Sequence, residues 1–217
     1  MPSGTRPQSP VRPPGRPRLY EPDAERTRIL TSALEVLQRS GGQEATVADI
    51  LEQSGLSTRA FYRHFDTKED VIRALYRRDA ESFGSHLCRR VAAASPEEGL
   101  EVWVNETLGL AYDRRRAERV SALSSPMVER VIAASEEQRL GVALLVEPLH
   151  AVLVAGLADG YFPAARPDVD VLTIGAMVWE AVAWARTGTV TLSRRQAVDQ
   201  ILRFTLPALR GSRSEAS

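Results

Sequence analysis

TVADILEQSGLSTRAFYRHF, residues 46–65, compresses a capped short helix, a glycine turn and a second short helix into one stretch, and the rest of the chain is read outward from it. Thr46 stands three residues before Asp49. In that reciprocal capping pattern the hydroxyl takes one orphan amide and the carboxylate takes another, so a helix is expected to start there. Val47, Ile50 and Leu51 recur at helical spacing, and Ser54-Gly55 ends the run because glycine adopts the left-handed exit without a Cβ penalty. Ser57 then caps a second helix with Ala60, Phe61 and Phe65 on its apolar side and Thr58, Arg59, Tyr62, Arg63 and His64 facing outward. Two short helices joined in this way read as a helix-turn-helix. Its second helix lies in the DNA major groove with its first residues near base edges, while hydroxyl and basic groups around it hold phosphates.

The order T-V-x-D-I, S-G-L-S, F-Y-R-H-F and then Lys68-Glu69-Asp70 resembles the DNA-binding segment of the TetR family of transcriptional regulators. The match runs from about Glu25 to Leu75, and F-Y-R-H-F followed by Lys68-Glu69 is its most specific part. The resemblance implies a repressor-like homodimer whose larger C-terminal helical domain binds a small-molecule effector. Carried over residue by residue, it implies that Thr46, Tyr62, His64 and Lys68 hold phosphates by hydroxyl, ring nitrogen or ammonium. Ser57, Thr58 and Arg59 open the reading helix and are the candidates for base edges. A guanidinium such as that of Arg59 can engage guanine O6 and N7 together, discriminating by roughly 1–3 kcal/mol; the alternatives are a phosphate contact or a surface ion pair. Phe61 and Phe65 read as core anchors.

Formal charge over the 217 residues is zero, so any basic surface must be local. It is found at the start of the chain, where Arg6, Arg12, Arg16 and Arg18 precede the first acid, Glu21. Residues 1–20 are rich in proline, arginine and serine and too poor in apolar side chains to repay ordering entropy, which predicts a disordered basic arm. Arg16 and Arg18 then follow phosphates or enter a minor groove beside the main contact, or the arm is a solvated tail. The single cysteine, Cys88, has no partner for an internal disulfide, which fits a reducing cytoplasm. No secretion signal is visible, and the most apolar run, Val142 to Ala158, is interrupted by Glu147, Pro148 and His150 and is expected to fall short of a spanning helix.

The expected fold is all-α. A three-helix helix-turn-helix domain occupies 21–66, a larger helical effector-binding and dimerisation domain 67–211, and a tail 212–217. A helix from Pro22 to Ser40, carrying Ile29, Leu30, Ala33, Leu34, Val36 and Leu37, supplies the scaffold for the reading pair. Thr67 and Asp70 begin a rod of some twenty-five residues, about 35 Å at the standard rise, long enough to join two domains. Ser95-Pro96-Glu97-Glu98 is a strong helix start. Arg114 to Arg116 is read as that helix's exposed end, and Ser125-Pro126 as the start of a helix running on to the apolar stretch, where Pro148 should kink or divide it. Phe162 to Asp170 is read as a loop. Val171 to Trp184 is apolar on nearly every face, so it must be buried on several sides. With the capped helix from Ser193 to Leu209 it suits a four-helix homodimer seam, the alternative being a monomer core.

Trp103, Tyr112, His86 and His150 are candidates to line an effector cavity between the central helices, although ordinary packing or a satisfied polar group is the favoured account of each. The motifs of common enzyme classes are missing: no glycine-rich phosphate cradle, no HExxH and no GxSxG occur, and His64, His86 and His150 are too scattered to suggest a metal site. No enzyme activity, cofactor or metal is expected. The reading is a sequence-specific DNA-binding regulator released from a palindromic operator by a small molecule; the alternative is a helical adaptor that binds protein without sequence-specific DNA contact.

Overall fold

A computed structural model describes residues 22–41, 45–189 and 191–211. The arm with Arg16 and Arg18 and the tail at 212–217 lie outside the described residues. All the regular structure described is helical: α1 (Pro22–Arg39), α2 (Val47–Ser54), α3 (Thr58–Tyr62), α4 (Lys68–Ala92), α5 (Pro96–Tyr112), α6 (Arg114–Leu123), α7 (Pro126–Ile132), α8 (Glu136–Ala158), α9 (Pro167–Thr187) and α10 (Arg194–Arg210). The starts follow local chemistry. Thr46/Asp49, Thr67/Asp70, Ser95/Glu98 and Ser193/Gln196 each form the full reciprocal capping box, and Gly55 leaves α2 at φ 64°.

Two apolar clusters organise these helices. One gathers Ile29, Leu37, Ile50, Phe61, Phe65 and Leu75 from α1 to α4 and is completed by Leu123, Met127, Val128 and Ile132 of α6 and α7. The other joins the far half of α4 to α5, α8, α9 and α10 around Leu87, Trp103, Leu108, Leu149 and Val178. The rod α4 enters both, and α6 and α7 bring the chain back onto the head after α5 has left it.

Several expectations for the middle of the chain are corrected. Arg114–Arg116 are not the exposed end of α5 but the first turn of α6, because Asp113 turns extended and its carboxylate accepts the amide of Arg116 at 3.0 Å. The helix beginning at Pro126 stops at Ile132, where Ala134 takes φ 56° and Ser135 caps a new start. Pro148 does not divide α8, which is continuous through it. The proline removes the amide that would reach Leu144 O, and the next carbonyl, Leu145 O, accepts the indole N–H of Trp103 at 2.9 Å. Gly84 makes room there: a Cβ on it would lie 2.9 Å from the Leu144 Cβ, so α4 and α8 cross closely at this point. As an unbroken 23-residue helix, α8 is after all long and apolar enough to cross a membrane by length and composition. Its packing against α4, α5 and α9 gives that apolarity a use inside the fold. The loop expected to reach Asp170 ends at Arg166, since Pro167 opens α9 with the fixed φ that suits a first helical position.

Candidate nucleic-acid interface

The helix-turn-helix is seated by its apolar side. Phe61 is fully buried, Ala60 and Phe65 nearly so, and the Phe61 and Phe65 rings lie 6.1 Å apart in the head cluster. The turn brings α3 round because Gly55 supplies the left-handed exit and the Ser57 hydroxyl accepts the amide of Ala60 at 3.2 Å. What remains outside is a row of donors. Ser57, Thr58 and Arg59 are exposed, and Tyr62 is 54% exposed with its ring edge-on to Phe61 at 5.3 Å. Among the described residues no acid pairs with Arg59 or with Lys68, the first residue of α4. A cation at a helix N-terminus opposes the helix dipole, so Lys68 sits where an incoming anion, more than the fold, would reward it.

Two of the residues expected to hold phosphates are engaged within the protein. The Thr46 hydroxyl lies 2.6 Å from Asp49 Oδ2 and accepts the Asp49 amide at 3.2 Å, so its single hydrogen is directed into the capping box. That bond and the backbone amide of Thr46 hold the Asp49 carboxyl below its usual range. His64 does not face outward: its side chain is only 10% exposed and its Nε2 lies 3.0 Å from Glu25 Oε2, while Arg63 pairs with the same carboxylate oxygen. Glu25, on the first turns of α1, is 5% exposed, and the bonds from Arg63 and then His64 hold its carboxyl below the usual value. Sequence reasoning passed over Glu25 because its partners lie 38 and 39 residues away.

The four effector candidates do not meet in one cavity. Trp103 is 2% exposed and occupied with Leu145 O. His150 reaches Asp168 at 3.0 Å on the surface. His86 Nε2 lies 2.9 Å from Glu106, which also takes Arg116 at 3.0 Å; burial pushes that carboxyl up, but the bonds outweigh it and its net displacement is downward. Tyr112 alone lines open space, an apolar groove of about 380 Å³ between α9 and α10 with Trp184 and Phe204. A smaller cleft of about 220 Å³ lies between α4, α5, α6, α8 and α9. Its walls include Tyr76, Phe83, Leu145 and Trp179, with Asp79, Ser124 and Gln138 as the polar groups. Burial, followed by the charge of Asp79, pushes the Tyr76 phenol up. Phe83 stood on the apolar face of α4 in the sequence, but no local signal joined it to Gln138.

Comparison with known proteins agrees with this geometry. The family pattern described as bacterial regulatory proteins, tetR family, matches residues 29–75. The chain is 27% identical over 209 residues to the HTH-type transcriptional repressor KstR2 of Mycolicibacterium smegmatis, covering 90% of this chain and 95% of that protein. A KstR2 repressor of Mycobacterium tuberculosis is 26% identical over 201 residues, covering 85% and 92%. Among solved structures, a transcriptional regulator from Saccharomonospora viridis in complex with choline superposes with a TM-score of 0.71 at 18% identity, covering 84% of this chain and 95% of its own. The regulator FadR from Bacillus subtilis in complex with stearoyl-CoA gives 0.65 at 17% identity, with 84% and 98% covered.

Proposed function

We propose, from the match of residues 29–75 to the tetR family of bacterial regulatory proteins and the similarity to KstR2 repressors, that the chain belongs to that family and is a sequence-specific DNA-binding transcriptional repressor, cytoplasmic like such regulators generally and released from a palindromic operator by a small-molecule effector. The observation that carries this reading is the row of Thr58, Arg59 and Tyr62, exposed and without an acidic partner among the described residues on a helix whose other side is locked into the head core, with the half-buried Lys68 beside it at the start of α4. Thr58 and Arg59, with Ser57, stand for base edges; Tyr62 and Lys68 stand for phosphates, joined by the arm through Arg16 and Arg18. Thr46 contributes by capping α2.

The homodimer forms through α9 and α10. Leu172, Ala176, Trp179 and Ala183 all lie exposed at spacings of four, three and four along α9, and Phe204 is 59% exposed on α10. Exposed apolar rows of that regularity are what a partner helix covers. Two reading heads then meet two half-sites about one helical turn, or a multiple of it, apart. An effector with an apolar body and one or two polar groups suits the cleft beneath α4. The bound molecules of the two structural relatives, stearoyl-CoA and choline, differ too much in chemistry to transfer either one. Effector binding weakens DNA binding by favouring head spacings the operator does not fit, and DNA must weaken effector binding by the same factor.

Selection of random duplex DNA by the ligand-free protein at physiological salt tests the reading. A near-palindrome is expected in the retained pool. An unenriched pool, with a folded dimer and no compound restoring enrichment, would move the protein to the adaptor class.

A further inference from the structure

The reading helix α3 is five residues long, too short to hold its own orientation in water. Phe61 and Phe65 bury its apolar side and set its coarse roll, but apolar contact is non-directional, so the fine setting of that roll is left to polar contacts. Roll decides which side chains face the groove. The directional contacts come from one turn of α1. Glu25 receives both Arg63, the residue that ends α3, and His64 immediately after it, on a single oxygen. Three residues on, and so on the same face of α1, Arg28 Nε donates to Ser54 O at 2.5 Å at the end of α2. α2 has no basic residue in its own last turn, so Arg28 supplies the cation its carbonyl end favours. One turn of the scaffold helix thus grips the exits of both helices of the motif.

We propose that Glu25 is a positioning residue for DNA reading, with two effects. It sets the fine roll of α3 through Arg63 and His64, and it holds the Arg63 charge against the protein, away from DNA phosphates. The second effect follows from burial: Glu25 is 5% exposed and Arg63 is about one-third exposed, so the pair is made on the protein side of α3. Without the bonds to Glu25, α3 would present Arg59 over a wider range of directions. A freed Arg63 would add a sequence-independent attraction to any duplex. Glu25 thereby raises selective binding and lowers unselective binding together, and these opposite signs distinguish positioning from mere support of the fold. The proposal rests on the DNA-reading function above.

The test uses the full-length chain and Glu25→Gln, with Glu25→Asp as the conservative partner. Three quantities are read: affinity for the selected operator, affinity for a scrambled duplex of equal length, and hydrogen exchange of the peptide spanning residues 57–66 in the free protein. In Glu25→Gln, operator affinity is expected to fall at least tenfold while scrambled-duplex affinity rises several-fold. The salt slope on scrambled DNA should steepen by about 0.9 for each Arg63 that reaches a phosphate, and exchange in 57–66 should quicken at least tenfold. Adding Arg63→Gln should return scrambled-duplex affinity to that of the parent without restoring the operator, and Glu25→Asp should lie between Glu25→Gln and the parent. A folded Glu25→Gln protein with unchanged exchange in 57–66, or with both affinities reduced by one common factor, overturns the proposal. If the parent selects no operator, the DNA-reading function has failed, and the exchange comparison alone decides whether Glu25 orients α3. If Glu25→Gln does not fold, the same readings on Glu25→Asp decide it.

Discussion

Replacing Arg59 by alanine separates base reading from phosphate holding more cleanly than any other change in the head. Its side chain is exposed and pairs with no acid among the described residues, so the substitution breaks no ion pair described in the folded protein. An exposed change away from special features alters stability by no more than about 0.5 kcal/mol. Any larger loss of DNA binding therefore arises at the interface. A bidentate contact to guanine is worth about 1–3 kcal/mol, and a dimer makes it twice, so the operator should lose roughly 2–6 kcal/mol, on the order of 30-fold to more than ten-thousand-fold in affinity. The loss should be confined to the operator and to one position in each half-site. A phosphate contact predicts something else, a uniform weakening across all sequences with a salt slope shallower by about 0.9 per half-site. Fluorescence anisotropy against the operator, single-base variants and scrambled DNA at several salt concentrations reads both outcomes. If Arg59→Ala weakens every duplex equally and repeated selection returns an unchanged consensus, Arg59 does not read bases.

Gly156→Ala should destabilise the packing around α8, because an added Cβ would lie 2.1 Å from the ring of the fully buried Phe162. Overpacking of this kind costs about 1–3 kcal/mol, and a thermal melt unchanged from the parent would show that the ring can move aside freely. Leu172→Glu with Trp179→Glu should yield a folded monomer in sedimentation at micromolar concentration, since both side chains are exposed on one face of α9; a persistent dimer would place the seam elsewhere. Acid should weaken the fold through Glu25, Asp49, Asp70 and Glu98, whose carboxyls are held low by Arg63, by the Thr46 and Thr67 hydroxyls and by the Ser95 amide respectively. Because each binds protons more weakly folded than unfolded, its stabilisation is complete above the usual carboxylate range and is lost as pH falls through that range toward the depressed folded values. Urea midpoints that stay flat from pH 7 to pH 3 would contradict this.

The helix-turn-helix was legible because its rules are local. Capping boxes, the left-handed glycine and the Ser57 cap each act within one helical turn, so the residues that start α2, α3, α4, α5 and α10, and the glycine that stops α2, can be read without knowing the fold. The same locality explains the misreadings. Arg114–Arg116 looked like an exposed end because the amide that Asp113 accepts becomes visible only once Asp113 turns extended. Pro148 looked like a breaker because the partner near its missing bond, Trp103, is 42 residues from Leu145.

Sequence by itself determined the all-helical class, the motif, the exposed donors Thr58, Arg59 and Tyr62, and the apolar surplus of α9 and α10. Only the tertiary structure decided which polar groups of the motif are free. Arg63 carries the same guanidinium as Arg59, and His64 is a further nitrogen donor on the same short stretch, yet both turn to Glu25 while Arg59 pairs with no acid among the described residues. Helical periodicity assigns a residue to a face. Whether that face meets solvent or a buried carboxylate 38 residues away depends on how α1 packs across α3, which no local pattern encodes.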